Sequence, residues 1–124
     1  MLFLVAMDFE YAMANKQVTI TKYTGSSKDV TILTEIGDFP VTTIGYRAFS
    51  CNELISISLP QNLTTIGQGA FSYNKLTSID LPQNLTTIGQ TAFCKNKLTS
   101  IDLPQNLTTI ERYAFYNNEL PSIN

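Results

Sequence analysis

Two pairs of residues have types and spacing that could support chemistry, and the first is Asp80 with Asp102. Both lie in the sequence Ser-Ile-Asp-Leu-Pro, 22 residues apart. On stacked strands about 4.8 Å apart, two carboxylates could share a calcium ion or serve a glycosidase. Calcium, however, requires about six or more oxygen ligands, and only hydroxyls and one amide are expected nearby. Identical surroundings would also not make one carboxyl an acid and the other a base. We interpret both as part of a solvated strand face.

The second pair is Cys51 and Cys94, the only cysteines of the chain. The repeat described below places them two units apart, or roughly 10 Å if the units stack at the usual strand spacing. A disulfide requires Cα atoms within about 7 Å of each other. We therefore predict two free thiols, packed in the turns as small apolar residues.

The composition argues against catalysis more broadly, because the chain contains no histidine. The commonest general base and the commonest metal ligand are therefore missing. Ser-His-Asp catalysis, Cys-His catalysis and histidine-ligated zinc are all excluded. We expect no enzyme activity, no metal ion and no cofactor.

Length and charge set further limits. The 124 residues correspond to one domain, and the formal net charge of −2 provides no basic stripe for nucleic acid. No apolar run is long enough to span a membrane. Residues 1–7 are apolar but lack the positive segment and cleavage site of a signal peptide. They form either a first strand or the remnant of a trimmed leader.

A repeat of 22 residues dominates the sequence. Units start near residues 32, 54, 76 and 98, and a partial unit starts at Leu120. Within them, leucine, isoleucine and Ala-Phe positions recur at the same spacing, as in Leu54, Leu76 and Leu98. A period of about 20–29 residues is typical of leucine-rich repeats, in which each unit forms one coil of a solenoid. Stacked coils would turn each apolar position into a continuous buried ladder.

Each unit predicts a small set of elements. Ser78–Leu81 alternates polar and apolar residues, which indicates a half-buried strand ended by Pro82. Leu85–Ile88 is β-branched and could form a second short strand. Gly89–Phe93 predicts a tight turn into a short helical or 3-10 segment. The fold class is therefore a leucine-rich-repeat solenoid, either α/β-type or mostly β, with a parallel sheet.

The asparagine that follows this turn recurs in every unit. It is predicted to form a ladder inside the turns, because asparagine tolerates left-handed backbone and bonds to nearby main chain. Its copies are Asn52, Asn74, Asn96 and Asn118.

The two ends of the repeat differ. Residues 1–40 predict an N-terminal cap, with a β-hairpin turning at Ala14-Asn15-Lys16 and leading into the first coil, and residues 41–124 form the repeats. At the other end the sequence stops at Asn124, on a predicted strand. We expect an uncapped edge there, left by a fragment of a longer array or open to pairing.

Two surfaces are candidates for binding a partner protein. The first is the predicted outward strand face. Its residues are Ser56, Ser58, Ser78, Asp80, Ser100 and Asp102. The second is the set of positions on the turn side that vary between units and carry tyrosine and arginine, which are favoured at binding hot spots. Its residues are Tyr46, Arg47, Tyr73, Arg112, Tyr113 and Tyr116. Drift on a surface that packing leaves unconstrained would produce similar variation.

The recurring pattern Leu-x-x-Ile-x-Leu-Pro-x-x-Leu-x-x-Ile-Gly-x-x-Ala-Phe resembles the BspA-like class of leucine-rich repeats from Ile44 to Ile123. Glu111 departs from it by replacing the repeated glycine. The resemblance implies a bacterial surface or secreted protein that adheres to host proteins or to other cells, and it implies no catalytic residues. The alternative is a structural array that forms homo-oligomers through its uncapped C-terminal edge.

Overall fold

The computed structural model describes residues 8–121. Residues 1–7, whose strand or leader assignment stays open, and residues 122–124 at the predicted edge lie outside this range. The described chain folds into nine short β-strands and contains no helix. Two sheets follow the stacked coils, one extended and one of only two strands. The solenoid predicted from the repeat is confirmed, in its mostly β form.

The chain enters the solenoid through an antiparallel hairpin of β1 (Phe9–Ala14) and β2 (Gln17–Tyr23). The turn between them, Asn15-Lys16, has left-handed φ angles of 54° and 61°, as two-residue hairpin turns require. Strand β2 then pairs in parallel with the first repeat strand. The predicted hairpin is therefore confirmed.

The main sheet is built from the Thr-Ile position of each coil. Its rungs are β5 (Phe39–Ile44), β7 (Thr65–Ile66), β8 (Thr87–Ile88) and β9 (Thr109–Ile110), all parallel. A two-residue strand, β4 (Glu35–Ile36), pairs antiparallel with β5. Threonine and isoleucine suit this position because β-branched side chains pack well on a pleated surface.

The prediction of a half-buried strand at Ser78–Leu81 is wrong. At this position of the coil, only β3 (Asp29–Thr31) and β6 (Ser56–Ser58) form a ladder among residues 8–121. The next two coils are joined here by one long hydrogen bond, 3.4 Å from Thr99 N to Thr77 O. The alternation that predicted the strand reports only which side chains face inward, and it does not require the amides of one coil to reach the carbonyls of the next. The side chains still alternate, with Ile79 buried and Asp80 exposed.

The predicted short helical segment is also absent from the described residues. Gly89–Phe93 forms two successive turns, in which Ala92 N bonds to Gly89 O and Cys94 N to Thr91 O. The amides between them, Thr91 N and Phe93 N, donate to the following coil instead. Thr91 is left-handed, with φ 56°. A helix needs right-handed residues and amides bonded within its own chain segment, so it cannot continue here.

Aromatic rings form the centre of the core. Tyr23, Phe49, Phe71, Phe93 and Phe115 stack with centroid distances of 5.1–5.5 Å. The three central phenylalanines are completely buried. The core is therefore shared between coils, as the repeat predicts.

The asparagine ladder is confirmed as a set of main-chain bonds. Asn74 Oδ1 accepts from Leu54 N (2.9 Å), and Asn74 Nδ2 donates to Phe49 O and Phe71 O (2.9 Å each). Asn96 repeats this pattern one coil later. The left-handed residue is the one before each asparagine, such as Tyr73 (φ 59°), and not the asparagine itself.

Candidate functional site

The strand face lies outward as predicted. All six of its residues are exposed. They are Ser56, Ser58, Ser78, Asp80, Ser100 and Asp102. In the first coil the face continues to Asp29, whose Oδ1 accepts a hydrogen bond of 2.7 Å from Ser56 Oγ. The sequence analysis missed Asp29 because it lies 27 residues before Ser56, outside the 22-residue register.

The strand face consists of serine hydroxyls and aspartate carboxylates. Within residues 8–121, no three histidine, cysteine, aspartate or glutamate side chains come together in a group that could hold a metal ion. Asp80 and Asp102 remain two exposed carboxylates on neighbouring coils. What this face can do chemically is present acceptors and hydroxyls to a partner.

The two cysteines are free, as predicted. Cys94 is buried, whereas Cys51 is exposed and its Sγ lies 3.5 Å from Ser50 Oγ. The prediction that both pack as small apolar residues is therefore correct for Cys94 and wrong for Cys51. Their positions in the turn differ: Cys51 occupies the left-handed position, which directs it away from the core, whereas Cys94 lies one residue before the left-handed Lys95.

The second surface, which we call the turn strip, consists of Tyr46, Arg47, Tyr73, Lys95, Arg112, Tyr113 and Tyr116. Its four tyrosines are 54–62% exposed. The structure brings its members together in pairs. The Arg47 guanidinium lies 5.3 Å from the Tyr46 ring centroid, and Lys95 Nζ lies 5.8 Å from that of Tyr73. Tyr113 and Tyr116 meet edge to face at 5.4 Å.

Two left-handed positions of the coil direct much of this strip outward. Arg47 and Tyr113 occupy the first, with φ of 51° and 61°, and Tyr73 and Lys95 occupy the second, with φ of 59° and 58°. The amide of Tyr73 donates to Cys94 O and that of Lys95 to Tyr116 O. Bonds between coils therefore hold the backbone in a conformation that bulky residues rarely adopt.

Lys95 was missed as a strip residue by the sequence analysis. It occupies the same repeat position as Tyr73, and the variation between units at that position was the available signal. Of the predicted residues, Arg112 is exposed but forms no cation–π pair with a tyrosine of the described chain. The structure thus joins six of the seven strip residues into pairs.

Comparison with known proteins agrees with this architecture. The family model of the BspA type leucine-rich repeat region matches residues 13–124 in six copies. A search of curated proteins finds no match. In each comparison below, 93% of this chain is covered. A leucine-rich repeat protein from T. pallidum is 26% identical to this chain, and the TM-score is 0.71. The match covers 67% of the T. pallidum chain. A leucine-rich repeat protein from Bacteroides capillosus is 23% identical, with a TM-score of 0.81 over 91% of its chain.

The matched family sets the general expectations for function. Leucine-rich repeats generally mediate protein interactions, are typically non-enzymatic and, in the BspA type, are associated with the bacterial surface. In the part of the chain that the structure describes, no helix is long and apolar enough to cross a membrane. The predicted resemblance is confirmed: the chain belongs to the BspA type leucine-rich repeat family.

Proposed function

We propose that this protein is a non-enzymatic binding module that adheres to a host or cell-surface protein through its turn strip, with the strand face as a second contact. The observation that carries the proposal is the exposure of four tyrosines along the strip. Tyrosine provides large contact area at little conformational entropy cost, and it is enriched at interface hot spots.

Backbone conformation supports the choice of the turn strip. Tyr73 and Tyr113 sit in left-handed backbone, which costs roughly 1–2 kcal/mol for a residue with a Cβ. Gly69 and Asn117 occupy the equivalent positions in other coils, and glycine and asparagine adopt this conformation at lower cost. Cys51 and Thr91 adopt the same conformation at these positions, so it is common to every coil, and what it supports is that these side chains point outward, where a partner can contact them.

The proposal includes location and organisation. The protein acts at the cell surface or after secretion, as its family does. Residues 1–40 serve as the cap and first-coil entry, and residues 41–124 present the repeat-built surfaces. Strand β1 supports the capping role, because it pairs with β2 at the outer edge of the main sheet.

A capture experiment tests this function. The purified protein would be immobilised and exposed to solubilised host-cell surface proteins, and bound proteins would be identified by mass spectrometry. Two variants separate the surfaces: Tyr73→Ser with Tyr113→Ser for the turn strip, and Asp80→Lys with Asp102→Lys for the strand face. We expect the tyrosine variant to lose a partner that the folded wild type retains. Equal capture by the wild type and both variants would contradict the proposal.

A second candidate function is self-association through the last coil. Ile110 of β9 is 44% exposed and Leu103 is 50% exposed, whereas Ile66 and Ile88 are completely buried. An apolar parallel edge can pair with another chain. Sedimentation equilibrium over a hundredfold concentration range, with Ile110→Lys as the control, tests it. A mass that remains monomeric throughout would exclude this function.

A further inference from the structure

A cavity with a mixed polar and apolar lining opens within the turn strip. It has a volume of about 300 Å³ and lies between the exposed side chains of Arg47 and Tyr73 and the buried Ser72 and Cys94. Gly69 makes room for the arginine, because a Cβ there would lie only 3.1 Å from Arg47 Cγ. The glycine of the following coil therefore leaves space for the Arg47 side chain beside the cavity.

The hydroxyl groups of the cavity have already used their hydrogens. Ser72 Oγ donates to Gly69 O (3.0 Å), so in the 3.0 Å contact between Ser50 Oγ and Ser72 Oγ the donor must be Ser50. Thr91 Oγ1 donates to Gln90 O at 2.6 Å. Apart from the weakly donating thiols of Cys51 and Cys94, the side-chain donors left for a ligand are the guanidinium of Arg47 and the phenol of Tyr73. A ligand bound by these two groups must supply acceptors.

Charge along the turns points the same way. The turn segments of the three coils that line the cavity, residues 45–53, 67–75 and 89–97, contain Arg47, three lysines and one acidic residue, Glu53, although the whole chain has a net charge of −2. These lysines are Lys75, Lys95 and Lys97. Within residues 8–121 none of the three forms a salt bridge with a carboxylate. The region surrounding the cavity is thus a cationic patch on an acidic protein.

We propose that this cavity and the lysines beside it bind an acidic segment of a partner protein, with one carboxylate held by Arg47 and Tyr73. The inference rests on the proposed binding function and specifies the chemical class of the segment that the partner presents. A carboxylate fits because a guanidinium can hold it with two parallel hydrogen bonds. Arg47 and Lys95 belong to coils two apart, or about 10 Å along the stack, which three residues of a polyproline II chain span at roughly 3.1 Å each with side chains three apart on the same side. Acidic residues three positions apart would reach both cations.

The test uses fluorescence anisotropy with a fluorescein-labelled peptide of repeating Glu-Gly-Gly and its Gln-Gly-Gly counterpart. We expect the glutamate peptide to bind at least tenfold more tightly than the glutamine peptide. Arg47→Gln combined with Lys95→Gln should weaken binding at least tenfold. Lys16→Gln combined with Lys22→Gln removes the same charge from the hairpin and should change binding less than twofold. All four residues are exposed, so unchanged urea midpoints will verify folding.

Three results would overturn the inference. They are equal losses in the two double variants, equal binding of the two peptides, and tighter binding of a heparin tetrasaccharide than of the glutamate peptide. The first would mean bulk charge attraction, and the last would make the partner a sulfated glycan. If any of these occurs while Tyr73→Ser with Tyr113→Ser still abolishes protein capture, the acidic partner is refuted and the binding function stands.

Discussion

Replacing Asn74 by alanine removes the most heavily used side chain of the asparagine ladder. Its Oδ1 accepts from Leu54 N at 2.9 Å and Asn52 N at 3.1 Å. Its Nδ2 donates to Phe49 O at 2.9 Å, in the preceding coil. The side chain is only 6% exposed. One substitution therefore leaves main-chain groups of two coils without partners.

The structure gives the size of the effect. Leu54 N and Phe49 O have no other hydrogen-bond partner within the described chain. Each buried group left unsatisfied costs about 1–3 kcal/mol. With the weaker bond to Asn52 N included, we expect Asn74→Ala to lower the free energy of unfolding by roughly 3–6 kcal/mol. That is a large share of the ~5–15 kcal/mol typical of native domains.

Urea unfolding followed by circular dichroism measures this loss, with Asn118→Ala as the matched control. Asn118 makes the equivalent bonds to Leu98 N and Phe93 O, but the site is only partly buried. Water can replace a lost partner there, so we expect a loss of about 1 kcal/mol. Equal losses at Asn74 and Asn118 would refute the reasoning, because burial would then not determine the cost.

Three further predictions concern the core and the thiols. Phe93→Ala should lower the free energy of unfolding by about 3–5 kcal/mol, measured by urea unfolding, because the ring is completely buried. Cys51 should react with Ellman's reagent in the folded protein and Cys94 only after unfolding, as their exposures require; two equal fast phases would contradict this. Burial chiefly raises the pKa of Tyr23 above 10.0. The folded state then retains a proton that the unfolded state loses, so stability should fall as pH rises above about 10, and Tyr23→Phe should flatten that dependence in pH-resolved thermal unfolding.

The inward positions could be predicted because duplication repeats them. Leu54, Leu76 and Leu98 recur at one spacing, and burial is the only role that requires the same apolar residue in every coil. The asparagine ladder was predictable for the same reason, since Asn74 and Asn96 bond to main chain that is equivalent in each coil.

The backbone hydrogen-bonding pattern could not be predicted from the same repeat positions. Ser78–Leu81 alternates as a strand does, yet its amides form no regular ladder with the next coil. Gly89–Phe93 has the composition of a short helix, but its amides donate across coils. Period and propensity report which side chain points inward. They do not report which carbonyl oxygen accepts the hydrogen bond from each amide.

The candidate site was predictable only where residue type alone identifies it. Exposed tyrosines were identified from their variable positions, whereas Lys95 and Asp29 required three-dimensional pairing to be recognised. Variation at these positions was consistent with drift as well as with binding. Left-handed backbone does not separate the two explanations, because Cys51, Tyr73, Lys95 and Asn117 all adopt it at the equivalent position. Protein capture does separate them: drift predicts that Tyr73→Ser with Tyr113→Ser captures the same proteins as the wild type, whereas a binding role for the exposed rings predicts a lost partner.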